Sequence, residues 1–324
     1  MREPLDPARL AALSVLKRAL LLHRSCLLRR AELGNEERRG AGEPQAVYIG
    51  EGETLPYLAL LHGGAGPRRT VPLTGLRREL RRETRRCLLY LELNRLLTPK
   101  IPGAFRTTPW VRQRIDLGGD RFRAHHAEIE GVFGRKVRHF GLTSRTTRDR
   151  DAVDAFHDEY YVPYVSARHP ANLHLRRRDE LHHAVRHGFL LQVVEGGEWV
   201  AGAVCRRHRC GLTVVAYGLR GEEHRGRQRG WLSAATYFAI AMAREEDLAW
   251  VDLLRSRPHL ADGVFEHKRR FGATAFADPW PHTALWVLPA TAAPLPSPAE
   301  GLLVESPGGF VPLAEAAAFP RSGS

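Results

Sequence analysis

The alternation of hydrophobic and polar positions is clearest between residues 179 and 219. Residues 179–187 have apolar positions at helical spacing, and Gly188 ends this segment. Three apolar stretches of strand length follow, at 189–195, 199–205 and 212–219. Gly196 and Gly197 separate the first two stretches, which predicts a tight hairpin turn. This part of the chain therefore predicts a helix followed by three strands.

A second pattern of helices and strands follows directly. In residues 229–244 the apolar side chains recur at spacings of three and four, which predicts a helix. Residues 248–254 predict a buried strand, and residues 262–271 predict a helix that is capped by Asp262 and ended by Gly272. Closing strands are expected at 273–277 and 283–288. This order of elements indicates an α/β fold with a mixed central sheet flanked by helices.

The first half of the chain has weaker patterns, and its expected elements are more varied. They are an amphipathic helix at 10–28, a linker at 34–44, strands at 46–50 and 57–62, a glycine-rich loop at 63–67, a basic helix at 76–86, a strand at 87–93, a proline-rich loop at 99–109, a strand at 136–143 and a long helix at 149–168. The glycine-rich loop lacks the Lys-Ser/Thr ending of a phosphate-binding P-loop. Residues 290–324 are rich in Pro, Ala, Ser and Gly, and we expect them to be mostly without structure.

Length and charge divide the chain further. A chain of 324 residues suggests about two domains. We expect a helix and linker at 1–44, an accessory half at 45–148, a catalytic domain at 149–289 and a tail at 290–324. The formal net charge of +13 lies entirely in the first half, because residues 1–150 contain 30 basic and 16 acidic residues. Arginines supply nearly all of this charge, which is typical either of an ordinary solvated surface or of a polyanion- or membrane-facing patch.

Other classes of site and location have little support in the sequence. The four cysteines are too few and too scattered for a disulfide framework, and Cys205 and Cys210 have no second ligand pair at zinc-binding spacing. We therefore expect no metal. Lys17, Arg18 and Arg24 interrupt the apolar stretch near the start, so it predicts neither a membrane span nor an export signal. A cytoplasmic location is expected.

The most informative segment is the turn between the predicted strand at 212–219 and the predicted helix at 229–244. It runs from Leu219 to Gly230 and contains Gly226 with arginines 225, 227 and 229. Glycine allows a ligand to approach the backbone closely, and a helix start presents unpaired N–H groups to an anion. This turn predicts either a binding site for a pyrophosphate or a solvated turn whose glycines only end the elements.

At this point the chain resembles the GNAT superfamily of acyl-CoA-dependent acyltransferases. Arg227-Gln-Arg-Gly230-Trp-Leu232 matches the Arg and the first Gly of the family signature, whereas Leu232 stands where the family has Gly or Ala. The segments 251–272 and 156–170 are similar to the FemAB-like branch, which ends in an Asp-Gly helix start and a Lys-x-x-Phe/Trp-Gly motif. The resemblance covers residues 150–288 well and 45–148 loosely, so the first half is expected to be a degenerate GNAT-like copy.

The resemblance implies a fold, a cofactor and a set of site residues. In GNAT enzymes the cofactor lies between two splayed strands, and its pyrophosphate meets the amides of the glycine turn. This implies acetyl-CoA or another acyl-CoA as co-substrate. The implied cofactor-binding residues are Leu219, Arg225, Gly226, Arg227, Gln228, Arg229 and Gly230.

Two residues are candidates for catalysis and two for substrate binding. Lys268 lies four residues before Gly272, where many GNAT enzymes have a tyrosine, and a lysine there could protonate the leaving thiolate. Asp252 lies within a predicted buried strand, so it either faces the cleft as a base or pairs with Arg255 or Arg257. Tyr217 and Arg257 are the candidates for substrate contact.

The expected function is an N-acyltransferase that moves an acyl group from acyl-CoA to an amine by direct attack on the thioester. The acceptor is expected to be a small-molecule or cell-envelope amine, and the basic first half favours an anionic one. One alternative is a Fem-like transferase that uses aminoacyl-tRNA and acts on a cell-wall precursor. The other is a non-catalytic module that binds a polyanion or makes peripheral contact with a membrane.

Overall fold

A computed structural model describes residues 27–35, 45–94, 101–168, 175–221, 223–278, 283–290 and 293–318. These residues form two compact units. Unit 1 contains the described residues within Met1–Val111, Arg257–Asp262 and Ala277–Ser324. Unit 2 contains those within Arg112–Ser256 and Gly263–Phe276. The helix expected at residues 10–26 and the linker expected at residues 36–44 lie outside the described residues.

Unit 2 is built on a seven-stranded mixed sheet with the order β12-β6-β11-β10-β9-β8-β7. Its strands are β6 (Val111–Asp116), β7 (Thr143–Thr147), β8 (Gly188–Glu195), β9 (Glu198–His208), β10 (Gly211–Leu219), β11 (Trp250–Ser256) and β12 (Thr274–Ala277). β7 to β10 are antiparallel neighbours, and Gly196 and Gly197 form the β8–β9 turn with φ of 57° and 89°. β10 and β11 are parallel.

After residue 149 the helices of unit 2 follow the sequence prediction, except that residues 223–229 form a helix where a turn was predicted. They are α3 (Asp120–Glu128), a π-helical segment (Ile129–Gly134), α4 (Arg135–His139), α5 (Arg150–Ala155), a second π-helical segment (Phe156–Tyr161), α6 (Val162–Arg168), α7 (Arg178–Arg186), α8 (Glu223–Arg229), α9 (Trp231–Glu245) and α10 (Gly263–Arg269). α9 connects β10 to the parallel strand β11, as such a crossover requires. Its apolar positions, including Trp231 and Ala235, are buried in the main core of unit 2. The predicted α/β fold, with a mixed central sheet flanked by helices, is confirmed by this topology.

Unit 1 has its own six-stranded mixed sheet with the order β3-β1-β2-β4-β13-β5. The strands are β1 (Leu27–Leu33), β2 (Ala46–Gly50), β3 (Arg69–Pro72), β4 (Leu88–Asn94), β5 (Phe105–Thr107) and β13 (Thr283–Leu288). A separate hairpin joins β14 (Leu303–Ser306) and β15 (Gly309–Pro312). The helices are α1 (Leu55–Leu61), α2 (Leu76–Glu83), α11 (Ser297–Glu300) and α12 (Leu313–Ala318).

Several expected elements of the first half and the tail were wrong. Residues 27–33 are a strand, although the helix at 10–28 was expected to include the first two of them. The strand expected at 57–62 was wrong, since these residues belong to helix α1 and the turn after it. A short apolar run does not distinguish a helix from a strand. Most of the expected strand at 136–143 belongs to α4 and the turn after it. The tail is structured, since Leu302, Leu303 and Val304 are buried in unit 1.

The boundaries between the units also differ from those expected. Residues 112–148 belong to unit 2, whereas we placed them in the accessory half. β13 was expected to close the catalytic domain, but it pairs with β4 in unit 1 from Thr283↔Asn94 to Leu288↔Leu89. The pattern of apolar residues predicts a strand without indicating which sheet it joins. Within the described residues, no helix combines the length and the apolar character needed to cross a bilayer.

Candidate active site

The two parallel strands at the centre of unit 2 separate soon after they meet. Their pairing comprises Gly211↔Trp250, Leu212↔Val251 and Thr213↔Asp252. Beyond these three pairs, the rest of β10 and β11 runs apart. Backbone groups beyond Thr213 and Asp252 therefore border a cleft instead of a continued ladder.

A β-bulge in β10 lies at the point of separation. Val214 pairs with Cys205 on β9 and Ala216 pairs with Val204, so Val215 is the extra residue. A bulge bends its strand and increases the local twist. The Val215 carbonyl accepts a hydrogen bond from Arg176 Nε at 3.0 Å. The bulge is thus held by a charged side chain within the same unit.

On the other side of the cleft, the backbone of β11 is irregular. Leu254 has a φ of 60°, in the left-handed region that a leucine rarely adopts. Its N–H donates to Asp252 Oδ1 at 2.8 Å. The second carboxylate oxygen of Asp252 accepts from Arg112 Nη2 at 2.7 Å and lies 3.6 Å from Arg114 Nη2.

The space between the separated strands is a cavity of about 390 Å³. It is lined by residues of α6, β10, the α8–α9 junction, β11 and α10. They are Tyr161, Tyr164, Val165, Arg168, Val214, Val215, Ala216, Tyr217, Leu219, Gly226, Arg227, Gly230, Leu232, Ser233, Leu253, Leu254, Arg255, Gly263, Val264, His267 and Lys268. A volume of this size fits a small organic ligand. The apolar walls carry several cationic side chains, which favours an anionic or polar guest.

The glycine turn is more ordered than the sequence suggested. Residues 223–229 form helix α8, and Gly230 adopts a φ of 74° before α9 begins. This left-handed conformation explains the glycine at that position. The first backbone bond of α9 runs from the Ala234 N–H to the Gly230 carbonyl at 2.8 Å. The amides of residues 231–233 therefore precede the helical ladder at the border of the cavity.

The seven predicted cofactor-binding residues divide into two groups. Leu219, Gly226, Arg227 and Gly230 line the cavity. A Cβ on Gly226 would lie 2.7 Å from Leu219 Cδ1, so no larger residue fits without a shift.

The other three residues of the predicted set lie outside the cavity lining. Arg225 is exposed and lies over the ring of Trp231, at 5.8 Å from its centroid. Gln228 is hydrogen-bonded to His224, and Arg229 forms an ion pair with Glu195. Glu195 also accepts a hydrogen bond from Trp231 Nε1 at 2.9 Å. Arg229 thus contributes to the packing of the α8–α9 junction.

Lys268 lies in the wall of the cavity, on helix α10. The residue is buried, and its Nζ donates to the Arg255 carbonyl of β11 at 2.7 Å. This hydrogen bond to a backbone carbonyl fixes the position of the Lys268 amino group. Lys268 is therefore held at the edge of β11 that faces the cleft.

His267 lines the same cavity, and the sequence analysis did not single it out. Burial, together with the positive charges of Lys268, Arg168 and Arg270, lowers its pKa to about 4. The imidazole is consequently neutral at pH 7. Its ring contacts those of Phe133 and Phe271 edge-on. The cavity wall thus offers a neutral imidazole next to a lysine.

The remaining predicted residues have other surroundings. The Tyr217 ring lines the cavity, and its hydroxyl is hydrogen-bonded to Thr236 Oγ1 at 3.0 Å. Burial raises the pKa of Tyr217, so it remains protonated. Asp252 is outside the cavity lining and pairs with Arg112 and Arg114, neither of which was its expected partner.

Arg257 belongs to unit 1 and is not among the residues that line the cavity. Its guanidinium is stacked between Trp110 and Tyr57, at 3.7 Å and 4.7 Å from the two ring centroids. The position of Arg257 directly after β11 gave no indication that it belongs to the other unit.

Five further polar residues of the cavity lining were missed by sequence reasoning. They are Tyr161, Tyr164, Arg168, Ser233 and Arg255. The first three lie in the segment that resembles the FemAB-like branch, which was the one available signal for them. Ser233 lies on α9 and Arg255 on β11, and periodicity does not indicate which residues of these elements face the cleft.

No protein-family model and no curated protein matches this chain. Solved structures with some likeness include FemX, which is 10% identical with a TM-score of 0.42 over 81% of this chain and 88% of that one. L-PGS from Bacillus licheniformis is 11% identical with a TM-score of 0.36, over 78% and 80%. A GCN5-related N-acetyltransferase from Kribbella flavida is 14% identical with a TM-score of 0.30, over 76% and 82%. These values are too low to indicate an activity for this chain.

Proposed function

We propose that unit 2 is an N-acyltransferase that moves an acyl group from an acyl-CoA thioester to an amine. The observation that carries the proposal is the separation of β10 from β11 after Thr213↔Asp252, with a cavity between them. The resemblance of residues 150–288 to GNAT enzymes implies a cofactor in this position. Arg227 and the amides at the start of α9 supply groups suited to its pyrophosphate.

The chemistry requires two proton movements and no protein nucleophile. The amine nitrogen attacks the thioester carbonyl carbon, the new C–N bond forms and the C–S bond breaks. Over the whole reaction one proton passes from the amine to the thiolate. Lys268 is proposed to donate to the leaving sulfur, because it is an ammonium group held in the cavity wall.

His267 has a different proposed role. With a pKa of about 4, the imidazole of His267 is a weak base. Its neutral ring can still accept a hydrogen bond from the attacking amine. We therefore assign His267 to orienting the attacking amine. Tyr217 is assigned to contact with the transferred group through its ring.

Direct titration of the whole chain with acetyl-CoA tests the binding part of this proposal. Arg227→Ala is expected to weaken binding by about 10-fold or more, since hydrogen bonds to charged groups contribute roughly 1.5–3 kcal/mol. Arg225→Ala is the matched control, because Arg225 is two residues away and outside the cavity lining. Equal loss in both variants, or no heat of binding with short or long acyl-CoA, would overturn the proposal.

Turnover tests the role of Lys268 separately. With acetyl-CoA and a panel of primary amines, release of the free thiol is followed optically. Lys268→Met is expected to lower kcat by about 100-fold or more, as for a lost general acid, while the Kd for acetyl-CoA changes less than threefold. A variant that loses cofactor binding instead would show that Lys268 acts in binding and not in proton transfer.

Because of the FemAB-like resemblance, aminoacyl-tRNA is a second candidate for the donor of the transferred group. The motif at Lys268 to Gly272 belongs to that branch, in which the donor is an aminoacyl-tRNA. Incubation of charged tRNA that carries a labelled amino acid with the amine panel measures transfer from that donor. Transfer from charged tRNA without binding of any acyl-CoA would replace the proposed function by this alternative.

A further inference from the structure

Two charged side chains bind backbone groups at the point where β10 and β11 separate. A parallel ladder continues only while both strands remain extended. β11 leaves the extended conformation at Leu254, two residues after the last pair, Thr213↔Asp252. β10 leaves its regular pairing at the Val215 bulge. The separation therefore has a local cause on each strand.

The cause on β11 is a leucine in a conformation that needs support. A left-handed backbone brings the leucine Cβ close to the carbonyl oxygen, so Leu254 adopts it only under constraint. Asp252 Oδ1 accepts the Leu254 N–H at 2.8 Å, which is the side-chain-to-backbone bond that stabilises such turns. Arg112 holds the other oxygen of the carboxylate at 2.7 Å.

The surroundings of Asp252 fix this arrangement. The residue is 1% exposed, so its carboxylate has little freedom to turn away. Arg114 lies 3.6 Å from the same oxygen and stacks on Trp250 at 4.3 Å from its centroid. Arg112 and Arg114 both belong to β6, the neighbour of β11 on the side opposite the cleft. The positive charges that orient Asp252 therefore belong to β6, the neighbouring strand.

We infer that Asp252 is a positioning residue that holds Leu254 in the left-handed conformation and thereby keeps the cleft between β10 and β11 open. On β10, Arg176 plays the same role, because its Nε donates to the carbonyl of the bulge residue Val215 at 3.0 Å. The inference rests on the proposed function only in its consequence for ligand binding. Its structural core concerns the backbone of Leu254.

Two variants separate this role from a simple ion pair. Asp252→Ala removes the acceptor and is expected to raise the Kd for acetyl-CoA at least 10-fold. The double variant Asp252→Ala/Leu254→Gly is expected to bind at least threefold tighter than Asp252→Ala, because glycine adopts a positive φ without help. If the double variant binds no better than the single one, Asp252 acts only by neutralising Arg112 and the inference is overturned.

Leu254→Ile provides a variant that leaves the Asp252–Arg112 pair in place. Isoleucine has the same volume, but β-branched residues are strongly disfavoured at positive φ. We expect it to raise the Kd at least fivefold. Unchanged binding would contradict the inference, even if Asp252→Ala proved too unstable to purify. Asp116→Ala is the matched control, since Asp116 Oδ1 makes the same kind of bond to Gly118 N away from the cavity.

A measurement without any ligand distinguishes failure of this inference from failure of the proposed function. The exchange rate of the Leu254 amide hydrogen, resolved by NMR, is expected to be slow in the native chain and in Asp252→Asn, which retains an acceptor oxygen. It is expected to be at least 10-fold faster in Asp252→Ala. Fast exchange in the native chain would refute the role of Asp252, whether or not acyl-CoA binds.

Discussion

The β10–β11 pair of unit 2 and the β2–β4 pair of unit 1 are both parallel, and the two pairs differ in what happens at their ends. In unit 2, β10 and β11 pair over three residues and then enclose a cavity. In unit 1, β2 and β4 pair over five residues, from Ala46↔Leu88 to Gly50↔Glu92. Parallel pairing alone therefore does not produce a site. The side chains at the last pair decide whether the strands separate.

At the end of the unit 1 pair, polar side chains satisfy one another. Glu92 is fully buried and accepts hydrogen bonds from the Tyr48 hydroxyl, from Thr54 N at 3.2 Å and from Thr283 Oγ1 at 3.0 Å. A Cβ on Gly50 would lie 2.5 Å from Glu92 Cβ, so the two strands are in close contact there. In unit 2 the corresponding carboxylate, Asp252, binds the N–H of Leu254 in its own strand, where the ladder ends.

The difference suggests what closes the end of a parallel strand pair. A buried carboxylate is tolerated where its oxygens are fully hydrogen-bonded, and it then closes the end of the strand pair. The interpretation of the first half as a degenerate GNAT-like copy remains a prediction. A copy that has lost its binding site is expected to have hydrogen-bonded side chains at the end of its parallel strand pair, as the β2–β4 pair has.

The largest expected effect follows from removing the carboxylate that closes unit 1. Glu92→Ala removes the acceptor of the Tyr48 hydroxyl and of the Thr54 N–H, and we expect a loss of about 3–5 kcal/mol in the free energy of unfolding. Calorimetric unfolding of the whole chain measures the change. Glu92→Gln should cost less, since the amide oxygen still accepts and burial already raises the pKa of this carboxyl.

The control for this prediction is Glu53→Ala. Glu53 is exposed and accepts from the same Thr283 hydroxyl at 3.1 Å. We expect a change below about 1 kcal/mol, since an exposed hydrogen bond contributes little. Equal losses in the two variants would show that the buried cluster has no special part in closing the strand pair.

The next effect concerns pH, because each unit holds one histidine with a strongly lowered pKa. Burial lowers the pKa of His62 in unit 1 and of His267 in unit 2 from 6.5 to about 4. The unfolded chain therefore binds more protons between these values. The stability that each neutral imidazole represents is complete above pH 6.5 and is lost as the pH falls toward 4.

Variants at the two histidines measure these contributions separately. For His62→Gln we expect the destabilisation between pH 7 and 4.5 to be smaller by about 2 kcal/mol, a few degrees in Tm. His267→Gln should reduce the acid sensitivity in the same direction. Only for His267 should acetyl-CoA alter this dependence, since its phosphates would raise the pKa of a cavity imidazole. A pH profile identical to that of the native chain in both variants would refute the prediction.

Sequence patterns predicted best the part of unit 2 whose elements depend on short-range patterns of residues. The β8–β9 turn, the three antiparallel strands and helix α9 all follow from periodicity and glycine positions within about 60 residues. Lys268 was found because its motif is local. The conformation of Leu254 was not predictable, because the Asp252 carboxylate that accepts its N–H is held by Arg112, which lies 140 residues away in sequence.

Unit 1 shows the other reason why prediction failed. The apolar run 57–62 contains no polar position that distinguishes a helix from a strand, and the helix forms because Leu55 and Leu58 pack into the core. β13 enters the unit 1 sheet after the chain has passed through unit 2. Which sheet a strand joins depends on contacts that local periodicity does not contain.

The smallest expected effect tests the one departure from the family signature. Leu232 lines the cavity beside the first amides of α9, at the position where the GNAT signature has Gly or Ala. If its side chain occupies space next to a bound pyrophosphate, Leu232→Ala should lower the Kd for acetyl-CoA by about threefold to 10-fold, or roughly 0.7–1.4 kcal/mol. Titration calorimetry measures this change.

Leu248→Ala is the matched control, because Leu248 packs half-buried against the same core without lining the cavity. Both variants should lose roughly 1–2 kcal/mol of stability, less than a fully buried leucine would. Only Leu232→Ala should gain affinity for acetyl-CoA. Weaker binding in Leu232→Ala would mean that the leucine supports the ligand. The cleft of unit 2 would then contact its ligand through an apolar side chain at the position where the GNAT signature has Gly or Ala.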